Sequence, residues 1–188
     1  MLERRMLRAL KCDGTLLQEV AFDPETATRQ AAVIVVLLSV VYTVLTTAAA
    51  LLGQLLDGQR PALKGWFALL LLVLPVWWFC ASAALCFFGT LLLGGQGGFG
   101  TVARALAFAC LPLSIAGPLW LIPGVGALAS QALVLVLLTI VAERSMLLPR
   151  WKAVAAAVGA YLSLLPGYVV VGLTVVLVHQ AFFHEGGL

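Results

Sequence analysis

Side chains that could support catalysis are few in this 188-residue chain, and they lie far apart. An aspartyl protease needs two buried aspartates, but Asp13, Asp23 and Asp57 all lie in loops outside the apolar runs. A serine nucleophile needs a base beside it. Both histidines, His179 and His184, lie near the end of the sequence, beyond the reach of the serines in the apolar runs. We therefore expect a protein that is not an enzyme.

The four cysteines do not follow a metal-binding or disulfide pattern. Cys80, Cys86 and Cys110 lie inside apolar runs, Cys12 precedes them, and no C-x-x-C pair occurs. The sequence also lacks the zinc motif H-E-x-x-H and the phosphate-binding motif G-x-x-x-x-G-K-[ST]. We expect no metal and no cofactor, and we interpret the cysteines as small core residues.

The composition indicates a bilayer environment. Hydrophobic residues make up 63% of the chain and charged residues only 10%, whereas soluble domains average about 45–50% and about 25%. So few charges could not cover the surface of a soluble protein of this size. The segment 1–29 mixes five bases with five acids, which argues against nucleic-acid binding.

Five apolar runs approach or exceed the length of about 20 residues that a helix needs to cross the hydrocarbon core. They lie at 31–52, 66–93, 105–122, 126–142 and 153–178, and none contains Asp, Glu, Lys, Arg or His. In lipid, backbone polar groups must bond within their own segment, so these runs are expected to be helices. The sequence predicts an all-α integral membrane protein, with a five-transmembrane-helix bundle over 31–178 and a short outer tail at 179–188.

The segment 1–30 is predicted to be cytoplasmic and to contain an amphipathic helix at the membrane surface. Its apolar residues oppose its basic residues: Leu2, Met6, Leu7 and Leu10 against Arg4, Arg5, Arg8 and Lys11. The four cations are candidate membrane-surface contacts, and an ordinary soluble helical tail is the alternative. Asp23, followed by Pro24 and Glu25, is a start signal for the first spanning helix.

The distribution of basic residues predicts the orientation. With five spans, nine basic residues share one side: Arg4, Arg5, Arg8, Lys11, Arg29, Arg104, Arg144, Arg150 and Lys152. The other side carries two, Arg60 and Lys64. We therefore expect a cytoplasmic N-terminus and an outer C-terminus, most simply in a bacterial inner membrane. A re-entrant hairpin over 105–142 would leave this orientation unchanged.

That hairpin is where we would place any function. Its turn, LIPGVG at 121–126, is short and uncharged, and its prolines free backbone carbonyls at membrane depth. The candidate residues are Arg104, Pro112, Pro118, Pro123, Gly126 and Gln131. For Gln131 an interhelical hydrogen bond is the leading interpretation.

The stretch from Gly94 to Ala153 resembles the bacterial branch of the Yip family, the Ypt-interacting membrane proteins. The likeness lies in a glycine-rich turn, a basic start to the third span, an Ala-x-x-Pro element, a tight Pro–Gly turn and a polar exit: Phe99, Arg104, Ala109–Pro112, Pro123, Gly126, Glu143 and Arg144. The segment LLQEVAFDPETATRQA at 16–31 is similar to the acidic entry of the first span in bacterial members.

The resemblance implies five spans with a cytosolic N-terminus. Eukaryotic members bind Rab-type GTPases, but their Asp-Leu-Tyr-Gly-Pro motif is missing here, so GTPase binding is not carried over. We expect a non-catalytic polytopic protein that organises the lipid bilayer or membrane protein partners, with a homo-oligomer as one arrangement and no nucleic-acid partner. The alternative is a small oligomeric transporter, channel or lipid-moving protein.

Overall fold

In a computed structural model of the chain, the described residues are 2–11, 13–56, 67–112 and 125–183. Their regular elements are all helical, which confirms the predicted all-α class. The helices in chain order are α1 Leu2–Leu10, α2 Gly14–Ala21, α3 Thr26–Leu56, α4 Phe67–Cys86, α5 Phe99–Ala109, α6 Val125–Ser145 and α7 Arg150–Phe183. A π-helical turn, Phe87–Leu92, continues α4.

Two segments are long and apolar enough to cross a membrane. They are Thr26–Leu45 in α3 and Leu71–Leu92, which joins α4 to its π-helical turn. Only 28% and 17% of their most apolar windows are buried inside the molecule. The core helix of a soluble protein would be mostly buried, so most of this apolar surface points outward.

The helices coincide broadly with the predicted apolar runs. Helix α3 begins at Thr26, near the predicted start signal, because an Asp23 carboxylate oxygen accepts a hydrogen bond from the Thr26 backbone nitrogen at 3.2 Å. Helix α5 begins at Phe99, earlier than the predicted run at 105–122. Pro118 and Pro123 lie outside the described residues, so the described part of the hairpin is α5, its continuation to Pro112, and α6.

The core forms around α5. This short helix packs against α2, α3, α4 and α6, while α3 pairs with α4 and α7 packs against both α4 and α6. Seven of the eleven residues of α5 are buried, and Phe108 is fully enclosed. Its high alanine content, as in Ala105 and Ala109, lets neighbouring helix backbones approach closely.

The N-terminal helices belong to this core. Helix α2 begins after Asp13, whose carboxylate accepts the Thr15 backbone N–H at 3.0 Å as a cap. Leu16 and Val20 of α2 are fully buried in the same cluster as residues of α5 and α6. The N-terminal segment therefore packs onto the helical body through apolar contacts.

Candidate functional site

A charged cluster fixes the N-terminal segment, and Arg5 is its centre. The Arg5 guanidinium donates to Glu19 Oε1 at 2.9 and 3.1 Å, to Asp23 Oδ2 at 3.1 Å and to Gln30 Oε1 at 2.9 Å. Only 6% of the Arg5 side chain is exposed. These bonds join α1 to α2 and to the start of α3. They neutralise the charge of Arg5 inside the protein, and the membrane-surface contact expected of Arg5 stays a prediction.

Arg8 extends the same cluster along α1. Its guanidinium donates to Asp13 Oδ2 at 2.8 Å, to Glu19 Oε2 at 2.9 Å and to the Thr15 hydroxyl at 3.1 Å. Glu19 therefore bridges Arg8 and Arg5 with its two oxygens. About a third of the Arg8 side chain is exposed, so water weakens these bonds relative to those of Arg5.

The carboxyl groups of this cluster are held in the charged form. The Thr15 hydroxyl and then Arg8 lower the pKa of Asp13, and Arg8 and then Arg5 lower the pKa of Glu19. Hydrogen bonds from the Thr26 side chain, and then from Arg5, lower the pKa of Asp23 to about 2. A carboxylate with a depressed pKa stabilises the folded form above its ordinary pKa and loses that effect as the pH falls.

We predict that acid loosens the N-terminal segment in a defined range. Because these pKa values lie below the ordinary ones of 3.8 and 4.5, the docked arrangement should be unchanged from pH 7 to 5. It should loosen as the pH falls from about 4 towards 2. Spin labels at Leu7→Cys and Val154→Cys, with the native cysteines replaced, would report the distance between α1 and α7. Loosening between pH 7 and 5, or a fixed distance at pH 2, would contradict this prediction.

Arg104 ties the predicted hairpin to the N-terminal segment. Its guanidinium donates to the backbone oxygen of Ala21 at 2.5 and 3.2 Å and to that of Val20 at 3.3 Å. The last carbonyls of a helix lack intrahelical partners and lie at its negative end. Arg104 of α5 therefore closes the C-terminus of α2, and its weaker 3.5 Å contact with the Thr28 hydroxyl reaches α3.

The two polar loops after α4 and α6 meet at the same end of the protein. The Gln96 backbone N–H donates to the Met146 carbonyl at 2.9 Å, and Lys152 Nζ donates to the Leu93 carbonyl at 3.1 Å. Gly14 of the N-terminal segment lies against Arg144, since a Cβ there would be 3.2 Å from Arg144 Nε. Three segments distant in sequence thus share one end.

Among the glycines at this end, Gly89 makes the tightest approach to its neighbours. A Cβ built on Gly89, in the π-helical turn, would lie 2.1 Å from Met146 Sδ. The Gly89 carbonyl also accepts the Gly95 backbone N–H at 2.8 Å. Met146 is fully buried, so a larger residue at position 89 would force the flexible end of this side chain into a new position within the core.

The other candidate residues of the hairpin are distributed rather than gathered into a site. Tyr161 Oη of α7 donates to Gln131 Oε1 of α6 at 2.8 Å, an interhelical hydrogen bond of the kind expected for Gln131. Gly126 lies in the first turn of α6. Pro112 lies at the end of the described part of the first arm, beside a small cavity also lined by Leu137.

No family model matches the chain, and neither a curated protein nor a solved structure matches it. Within the described parts of the chain, no group of three or more His, Cys, Asp or Glu residues is placed to hold a metal ion.

Sequence reasoning missed the pairing of Arg5 with Glu19 and Asp23. These residues are separated by 14 and 18 positions, and no motif links them. The available signal was the equal number of acids and bases in the segment 1–29. Such balance is expected where a segment neutralises its own charges.

Proposed function

We propose that this protein is a non-catalytic polytopic membrane protein of the Yip type that organises membrane or protein partners in the bacterial cytoplasmic membrane. The observation that carries the proposal is the outward apolar surface of α3 and α4. Val36 and Val44 of α3 are 63% and 60% exposed, and Leu72 and Phe79 of α4 are 59% and 57% exposed. A continuous surface of this kind is unfavourable in water, whereas lipid chains would cover it.

Five crossings are part of the proposal, and the helix lengths support it. Helix α6 has 21 residues and α7 has 34, which correspond to about 31 and 51 Å at 1.5 Å per residue. The hydrocarbon core is about 30 Å thick. The remaining spans are those of α3, of α4 with its π-helical turn, and of the hairpin arm that begins with α5.

The proposed orientation follows from the shared end of the molecule. Arg104 joins the N-terminal segment to α5, which follows the loop at 93–98. Gln96 and Lys152 join that loop to the loop at 146–149 and to the start of α7. These segments and their flanks carry the nine basic residues of the predicted cytoplasmic side. A single end that holds most of the positive charge favours the cytoplasmic side.

We predict that reporter fusions will place the two termini on opposite sides. A reporter active only in the cytoplasm should be active when fused before Met1 and inactive after Leu188, and a reporter active only outside should show the reverse. Cytoplasmic activity of the C-terminal fusion would rule out an odd number of crossings. That result would not contradict insertion into the membrane, because alkaline extraction of the membranes tests insertion separately.

Tracer flux tests the non-catalytic organising role against the transporter alternative. The prolines of the hairpin are the observation that favours transport, because backbone freed at membrane depth can line a water-filled path. Purified protein in sealed proteoliposomes should release neither small ions nor a fluorescent anion, and it should not exchange labelled phospholipid between leaflets. Protein-dependent movement of any of these probes would replace the organising role by transport.

A further inference from the structure

The apolar side of helix α1 meets its basic side along two edges. One edge is buried against the protein, and the other is exposed to the surroundings. Arg5 and Ala9, four residues apart, face the protein and are 5% and 4% exposed. On the opposite side, Arg4, Leu7 and Lys11 follow at three- and four-residue spacing and are all exposed. Leu10 lies beside this line. We call Arg4, Leu7, Leu10 and Lys11 the exposed strip of α1.

The charges of the exposed strip are available for a partner. Within the described part of the chain, the Arg4 and Lys11 side chains have no hydrogen bond or ion pair, in contrast with Arg5 and Arg8. Leu7 between them is 60% exposed, and Leu10 is 37% exposed. Glu3, also exposed, is the one acid on this side of α1, so the strip keeps a net positive charge.

We infer that the exposed strip of α1 binds the surface of a bilayer that contains anionic phospholipid. Arg4 and Lys11 would contact the headgroup phosphates, and Leu7 and Leu10 would enter the boundary with the acyl chains, as in interfacial helices. This inference rests on the proposed membrane location. It selects two of the four basic residues that the sequence pattern offered, because the other two are committed to Asp13, Glu19 and Asp23.

Two features of the structure favour lipid as the occupant. Positive charge beside exposed leucines complements an anionic headgroup layer over apolar chains. In addition, α1 packs on α2 and α5, and α5 packs on the apolar helices α3 and α4. Only α5 therefore separates α1 from the helices α3 and α4, whose outward surface we assign to lipid.

The test uses the full-length protein with its four cysteines replaced and a spin label at Leu7→Cys. The protein is placed in vesicles of phosphatidylcholine alone, or of phosphatidylcholine mixed with phosphatidylglycerol. Relaxation by oxygen, compared with relaxation by a water-soluble nickel chelate, measures how deep the label lies. We expect a lipid-like ratio with phosphatidylglycerol and a more water-like ratio without it or at high salt.

Charge variants make the test specific. Each of Arg4→Gln and Lys11→Gln should lower the ratio of membrane-bound to free α1 by about fivefold, and Glu3→Gln should raise it. Arg150→Gln, which removes an exposed charge at the start of α7, is the matched control and should have no effect at position 7. Equal effects of all three basic substitutions would overturn a site on α1 in favour of a general charge effect.

A second label separates failure of this inference from failure of the proposed function. Val36→Cys lies on the outward side of α3 and should report lipid in both kinds of vesicle. If that label reports water, the membrane location itself fails. If it reports lipid while the Leu7 label stays in water with phosphatidylglycerol present, the exposed strip does not bind the bilayer, and a soluble protein partner becomes its occupant.

Discussion

Arg5→Met should detach the N-terminal helices from the bundle while leaving the apolar helices intact. The substitution keeps a side chain of similar length but removes four hydrogen bonds to Glu19, Asp23 and Gln30. Bonds to charged groups contribute about 1.5–3 kcal/mol each when buried. Water can solvate the freed carboxylates, since 43% and 27% of their side chains are exposed. We therefore expect a net loss of about 2 kcal/mol, or roughly a 30-fold larger detached population.

Hydrogen–deuterium exchange in lipid nanodiscs measures this effect directly. Peptides from α1 and α2 should lose protection in Arg5→Met, whereas peptides from α4 should not change. Arg4→Met is the matched control in nanodiscs of phosphatidylcholine alone, where the exposed strip is not expected to bind, because Arg4 is exposed and has no described ion pair. Arg5→Lys should be intermediate, since it keeps the charge but not the forked geometry of the guanidinium. Equal exchange in the Arg4 and Arg5 variants would show that the cluster does not hold the segment.

The contrast between Arg4 and Arg5 shows how far the sequence could predict this region. The helical spacing of α1 and the start signal at Asp23 are local properties, and both are present in the structure. Which of two adjacent arginines is buried depends on acids 14 and 18 residues away. The amphipathic pattern within α1 carries no information on pairing with distant acids. From that pattern alone, the whole apolar side of α1 and all its basic residues are therefore assigned to the membrane surface.

The apolar runs show the same difference between local structure, which the sequence predicts, and packing between distant segments, which it does not. Their length and lack of charge were enough to predict helices at α3, α4, α6 and α7, because apolar segments of this size must satisfy their backbone internally. The order of packing could not be predicted in this way. Helix α5 is richer in alanine than the other apolar helices. Its central position also depends on α2, which packs on one side of it, and on Arg104, which bonds to the end of α2.

Gly89→Ala should destabilise the whole helical body. The new methyl group would lie 2.1 Å from Met146 Sδ and 2.8 Å from Met146 Cε, so the end of this buried side chain must move. Overpacking of this kind costs about 1–3 kcal/mol. Alanine recovers about 0.5–1 kcal/mol of that through its better helix propensity. Thermal unfolding in detergent micelles should therefore begin at a lower temperature, and Gly98→Ala, where nothing lies within 4 Å, should have a smaller effect.

A double-mutant cycle with Met146 identifies the cause. Met146→Ala alone should cost about 2–5 kcal/mol, because it leaves a cavity in a fully buried position. In the double variant the alanine at position 89 no longer meets the sulfur, so the two costs should fall short of additivity by about 1–3 kcal/mol. Strict additivity would mean that the cost of Gly89→Ala does not come from its contact with Met146. A shortfall would show that the close approach of Gly89 to Met146 is one of the interactions that join the π-helical turn to the residues after α6. These residues lie at the end of the molecule that also carries the N-terminal cluster.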